Sequence, residues 1–192
     1  MLRGTRICLR AMRRSDLEVL HGPLYEDPEA FMLSDGRAYR PESLEAAQAR
    51  FDKALADQPE ARVDMFIAES LVALSTTVPA GQVLGDAALW GIDSHTRAAH
   101  IGLNLLPAAR GQGVGKETVV LLADYAFRVR GLNRLQCETY TDNAAMLAVA
   151  ESVGFQREGV RREVGWRDGH HVDDVILGLL ASQWQDPRGP TP

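Results

Sequence analysis

Arg110-Gly111-Gln112-Gly113-Val114-Gly115-Lys116 decides how this chain is read. It follows an apolar run, Ile101 to Leu106, that reads as a strand closed by Pro107. It precedes a helical run from Lys116 to Arg130, with apolar residues at Val119, Val120, Leu122, Ala123, Ala126 and Phe127. A strand, a glycine-rich loop and a helix N-terminus make an anion site. The glycines let backbone N–H groups converge, and the helix dipole adds partial positive charge there. The stretch therefore points to a ligand carrying a phosphate or pyrophosphate. Two familiar phosphate motifs fail. A P-loop needs Gly, four residues, then Gly-Lys-Ser/Thr, but Arg110 stands at the first glycine and Glu117 at the hydroxyl. The dinucleotide fingerprint Gly-x-Gly-x-x-Gly would end on Lys116 or Thr118.

A third pattern, Arg/Gln-x-x-Gly-x-Gly/Ala, fits in full with Arg110, Gly113 and Gly115. The chain continues with a strand-like run, Arg134 to Thr141, then Asp142-Asn143 and a second helix, Ala144 to Val153, stopped by Gly154-Phe155. Arg157-Glu158-Gly159, Trp166-Arg167-Asp168-Gly169, Asp173 to Leu177 and Gln183-Trp184 follow as a final hairpin. Ile7 to Arg10 and Ser15-Asp16-Leu17 give an opening strand and first helix. Over residues 5–184 this resembles the GNAT acyl-CoA-dependent N-acetyltransferases. It is most similar to the RimJ/RimL-like branch, which acetylates N-termini of ribosomal proteins and includes many small-molecule acetyltransferases. The resemblance implies a single α/β domain over residues 1–185, and the composition of Asp186 to Pro192 reads as a disordered tail over 186–192. The expected fold is a mixed, mostly antiparallel sheet of six to seven strands, with helices on both faces and a V-shaped acyl-CoA cleft.

Composition excludes several classes. With 192 residues the chain fits one domain with a sizeable core. A net charge of −5 argues against a general nucleic-acid binder and suits a cationic partner. There is no apolar run long enough to span a membrane and no apolar signal region after Met1-Leu2-Arg3-Gly4, so a cytoplasmic protein is expected. Cys8 and Cys137 lie in strand-like runs and read as buried thiols. Adjacent His170 and His171 would point to opposite faces of a strand, so no metal site is expected.

The remaining elements follow from local signals. Ser15-x-x-Glu18 reads as a capping box. Residues 22–41 read as irregular, with turns at Gly22-Pro23, Asp27-Pro28 and Asp35-Gly36, and Pro41-Glu42 opens a helix to about Asp57. Residues 63–70, 82–92 and 97–106 read as consecutive strands, with Ser94-His95 in a turn.

The activity implied by the resemblance is acyl transfer from acetyl-CoA, or another acyl-CoA, to a primary amine on a peptide N-terminus or a small molecule. The pyrophosphate would sit on Arg110, Gly111, Gln112, Gly113, Val114, Gly115 and Lys116. The pantetheine arm would pair with the backbone of Leu103, Leu105 and Leu106, and Asn143 would contact it. The Leu105 N–H is the candidate for polarising the thioester carbonyl. Alternation puts His100, Gly102 and Asn104 on one strand face. His100 stands where relatives often carry Glu, and an imidazole suits a base near neutrality. Glu138 and Tyr140 are the further catalytic candidates. Many family members place an acidic Tyr at the position of Ala150, and the N-terminal acetyltransferase branch often has Ser at Met146. Neither is present, which leaves Tyr140 or water to protonate the thiolate and keeps a non-catalytic acyl-CoA-binding protein as the alternative. Met146 and Ala150 would leave an apolar wall suited to a longer acyl chain. Glu26, Asp27, Asp35, Asp168 and Asp173 could attract a cationic acceptor. Dimers through the C-terminal strands are common in the family, although nothing in these residues demands a homodimer.

Overall fold

Side chains alternate along each strand and so divide between two apolar layers, one on each side of a single sheet. In the computed structural model, which describes residues 1–34, 37–56, 63–187 and 189, the elements run as follows. The strands are β1 (Leu2–Arg3), β2 (Ile7–Ala11), β3 (Val63–Ser70), β4 (Val83–Asp93), β5 (Ala98–Leu105), β6 (Arg134–Tyr140), β7 (Gln156–Arg167) and β8 (His170–Leu180). The helices are α1 (Asp16–Leu20), α2 (Pro28–Ser34), α3 (Leu44–Ala56), α4 (Val114–Asp124) and α5 (Ala144–Val153). The strand order is β1-β2-β3-β4-β5-β6-β8-β7, antiparallel throughout except for the parallel β5–β6 pair. On one face α4 and α5 bury Ile7, Leu9, Ala68, Leu89, Ile101, Leu135 and Leu177. On the other, Leu20 and Leu24 pack on Ile67, the strand neighbour of Ala68.

The parallel pair is short. Ala98, Ala99 and His100 align with Arg134, Leu135 and Gln136, and the pairing ends there. Beyond His100 β5 stays paired to β4 as far as Gly85↔Leu105, while β6 stays paired to β8 as far as Tyr140↔Asp174. The sheet therefore splits, as the resemblance implied, and the register puts His100 at the apex.

Several local expectations are corrected. The sheet has eight strands, the extra one being the two-residue β1. Ser15 forms no side-chain cap. Asp16 instead accepts the Arg13 amide at 2.7 Å and a two-pronged contact from Arg10 at 2.8 Å on each oxygen, a charge-assisted fork stronger than a serine cap. Residues 22–41 are not simply irregular, because a π-helical turn over His21–Glu26 leads into α2. Helix α3 starts at Leu44, not Pro41, with the Ser43 hydroxyl accepting the Ala46 amide at 3.2 Å. Helix α4 starts two residues before Lys116 and passes at Tyr125 into a π-helical turn that ends at Val129. The turn expected at Asp35-Gly36, the end of α3 at Asp57, and most of the tail lie outside the described residues. Cys8 and Cys137 are buried free thiols, and burial pushes the Cys137 thiol up to about 12.

Candidate active site

Register gives the backbone its part in the site. The Leu106 N–H donates to the Leu84 carbonyl at 2.9 Å. Amides alternate sides along a strand, so those of Leu103 and Leu105 turn the other way, into the split. The Leu105 carbonyl on that side accepts from Arg110 Nε at 2.9 Å. Leu106 departs from expectation: its N–H is held by Leu84 and its carbonyl by the Ala109 amide, so its backbone is engaged within the chain. From Leu105 to His100 is five residues, or ~17 Å at strand rise, a length comparable with an extended pantetheine arm.

The loop at the open end is built from conformations that suit glycine. Gly111 has φ +71° and Gly113 φ +76°, and Gly113 is the N-cap of α4 without any side-chain cap. The first amides of α4 consequently lack helical partners and face a common centre at the positive end of the dipole. The Gln112 side chain folds back on the Ala108 carbonyl at 2.5 Å. Gly115 lies against Val149, Leu105 and Leu103, so the helix start is packed onto the split strand.

The face of the split opposite α4 is polar. His100 Nδ1 is 3.2 Å from Glu138 Oε2, and the two residues come from the strands that part just beyond them. The hydrogen bond from His100 holds the Glu138 carboxyl below its usual range, with Gln136 adding a second donor at 2.7 Å. A carboxylate only accepts, so Nδ1 donates in this contact, and it is the neutral imidazole that has its lone pair on Nε2. The Trp90 ring stacks on the imidazole, with centroids 4.1 Å apart and planes at 23°. Arg161 stands 3.8 Å from Glu138 while pairing with Asp174. Tyr140 shares this face; the Arg167 guanidinium lies 5.4 Å from its ring centroid, and Gly165 leaves room for the ring.

Asp86, which the sequence reading passed over, is 4% exposed on the same face. It accepts from Tyr25 Oη at 2.5 Å and from Asn104 Nδ2 at 3.0 Å. Burial pushes its carboxyl up to about 6, against those two hydrogen bonds, and neither partner is a cation. The available signal was an aspartate inside the apolar run Val83 to Trp90.

Other candidates are placed differently. Asn143 caps α5, accepting the Met146 amide at 3.1 Å while its Nδ2 donates to Thr139 at 3.0 Å. Ala150 is fully buried in the core, so it cannot line an acyl pocket; half-buried Met146 alone remains of that wall. Asp27 and Asp173 are occupied by the amides of Glu29 and Glu163, at 3.0 and 2.8 Å. Asp168 lies 3.7 Å from Arg167. Glu26 lines an open surface cavity of about 490 Å³ with Tyr39, Pro41, Glu42 and Ser43. Asp35 is outside the described residues. His171 packs edge-on against Trp166, and no three ligating side chains converge among the described residues.

A sheet split beside a glycine-opened helix, with amides in the gap and a titratable pair at its apex, defines a protein built to hold an extended, phosphate-bearing cofactor. The model of the acetyltransferase (GNAT) domain family matches residues 6–156, and the chain belongs to that family. It is 31% identical over 108 residues, 56% of its length, to a putative ribosomal N-acetyltransferase, YdaF, of Bacillus subtilis (strain 168). The match spans 59% of that relative, and 58% and 56% of two other bacillary relatives. Among solved structures, the spermidine N-acetyltransferase of Vibrio cholerae in complex with CoA and spermine superposes with a TM-score of 0.79 at 21% identity, covering 94% of this chain and 98% of that one. Mycobacterium smegmatis RimJ in complex with CoA-disulfide gives 0.78 at 18%, covering 92% and 82%.

Proposed function

We propose that this protein transfers an acyl group, most simply acetyl, from CoA to a primary amine by direct attack within a ternary complex. The observation that carries the reading is the His100–Glu138 pair at the apex of the split. The CoA pyrophosphate rests on the amides from Gly111 to Lys116, and the pantetheine arm extends β5 along Leu103 and Leu105. The thioester then lies beside His100. The acceptor arrives as an ammonium, gives a proton to His100 Nε2, and attacks the acyl carbon. Glu138 orients the imidazole and offsets the charge it acquires. The carbonyl oxygen, negative in the tetrahedral intermediate, takes a backbone N–H on the open edge of β5 near His100; the Leu105 N–H, ~17 Å further along the strand, serves the pantetheine arm instead. The C–S bond breaks as the nitrogen sheds its second proton to water, and the thiolate takes a proton from water, directly or through Tyr140, which water then reprotonates, leaving the amide and free CoA. Alignment of the two reactants supplies much of the acceleration.

The acceptor is a peptide N-terminus or a small amine. The relative named as a putative ribosomal N-acetyltransferase and the fold neighbour named for spermidine support both. The test is CoA release, followed with a thiol-reactive dye, across peptides, polyamines, aminoglycosides and amino acids, for wild type and His100→Ala. Turnover on one class, lost in the variant, supports the reading and names the acceptor. Unchanged turnover in His100→Ala removes His100 as the base. Tight CoA binding without turnover on any amine supports instead a non-catalytic acyl-CoA-binding protein, the reading favoured by Met146 and Ala150 at the usual acid positions.

A further inference from the structure

The cofactor loop is gripped from a distant part of the chain. Glu117, in the first turn of α4, turns its Oε1 to the backbone of the β1–β2 turn. It accepts the Thr5 amide at 2.6 Å and the Arg6 amide at 2.8 Å, across more than a hundred residues of sequence. Its Oε2 takes Arg6 Nε at 3.3 Å. The same guanidinium reaches past Glu117 to the loop itself, where Nη1 donates to the Gln112 carbonyl at 2.9 Å. Arg6 Nη2 would lie 2.8 Å from a Cβ at Gly113. Gly4 is fitted to the same contact, since a Cβ there would meet Glu117 Oε1 at 2.4 Å.

An exposed ion pair between two long side chains contributes little. Here Glu117 is largely buried, and two backbone amides fix its carboxylate before Arg6 adds its charge. The peptide that Arg6 holds is the one entering the N-cap of α4. Other side-chain ties of the loop, Arg110 to Leu105 and Gln112 to Ala108, are local. A loop that binds through backbone N–H groups has no side chains with which to correct their direction, so its affinity depends on the backbone being set before the ligand arrives.

We propose that Arg6 and Glu117 are positioning residues that preset the cofactor loop, so that the N-terminal turn governs affinity for CoA. The inference rests on the acyl-CoA reading above. Neither side chain is required to touch the ligand.

The test is calorimetric titration of CoA into wild type, Arg6→Met, Glu117→Ala, Glu117→Gln and the Arg6→Met/Glu117→Ala double variant. Each single truncation should raise the Kd about 10-fold or more, and the double variant should be no weaker than the worse single one, because the two act as a unit. Glu117→Gln keeps an oxygen for the Thr5 and Arg6 amides and should recover part of the loss. The maximal rate at saturating acyl-CoA should stay within about twofold. Hydrogen exchange without ligand should quicken at Gln112–Lys116 in Arg6→Met while β4 and β5 keep their protection. Wild-type affinity in variants that circular dichroism shows to be folded would overturn the proposal, as would additive losses or faster exchange across the whole sheet. Failure of wild type itself to bind CoA would strike at the acyl-CoA reading, and the proposal would fall with it.

Discussion

Strand β5 has two ends that recognise in different ways. At the Ala98–His100 end it is paired on both edges, and its contribution to the site is a side chain, the imidazole held by Glu138 and stacked on Trp90. At the Leu103–Leu105 end one edge is open, and what it offers the split is backbone amide and carbonyl. On the proposed function, chemistry at the first end would depend on residue identity. Binding at the second would depend on direction and spacing of peptide groups, which many apolar sequences provide equally well.

The largest expected effect lies at the side-chain end. His100→Ala should lower kcat/KM by ~10²–10⁴, the usual range for a general base, while the CoA Kd measured by calorimetry stays within a few-fold. A parallel loss of CoA affinity would erase the distinction between the ends. Next comes Glu138→Gln, which keeps the shape and loses the charge. It should lower kcat ~10- to 100-fold with little change in KM for acyl-CoA, read by steady-state kinetics. Leu103→Ala probes the backbone end from the other side. It should cost about 1–2 kcal/mol of stability in denaturant titration and leave the CoA Kd within about threefold, because the amide is retained. A tenfold rise in Kd would mean that the leucine itself is read.

Asp86 sharpens the comparison along the neighbouring strand, because it is a buried carboxyl that, among the described residues, holds Tyr25 and Asn104 and pairs with no cation. Its carboxyl keeps its proton in the fold up to about pH 6, against 3.8 for the ordinary group. Between those values the folded state binds more protons than the unfolded state, so stability falls as pH rises through the window and stays lower above it. Asp86→Asn removes that dependence. Its advantage over wild type in thermal melts should grow from pH 4 to pH 7, reaching at most about 3 kcal/mol. An advantage independent of pH would mean that Asp86 is charged throughout.

The sequence was most legible where a short stretch carries its own geometry. Helix α5 has the predicted bounds, from the Asn143 cap to left-handed Gly154 at φ +108°. The 110–116 loop likewise follows from its glycines. The split of the sheet came from resemblance, and the short β5–β6 register provides its physical basis. What escaped the sequence depends on partners outside the motif being read. Ser15 lost its capping role to Asp16 because Arg10, on the preceding strand β2, and the Arg13 amide both hold the Asp16 carboxylate at the helix start. Glu117 looked only like a wrong residue for a P-loop, since nothing nearby reveals that its partners are Thr5 and Arg6. Asn143 was legible as a helix start, and for that reason its amide is already committed.

The grip of Glu117 on Thr5 and Arg6 also bears on the order of assembly. A chain made from its N-terminus presents residues 5 and 6 long before residue 117 exists. Strands β2 to β5, all of which precede residue 117 in the chain, are joined by successive antiparallel pairings. Those pairings bring residues 5 and 6 near the start of the helix that bears Glu117, so most of the chain entropy of joining positions so far apart in sequence is met by the sheet and not by the contact itself.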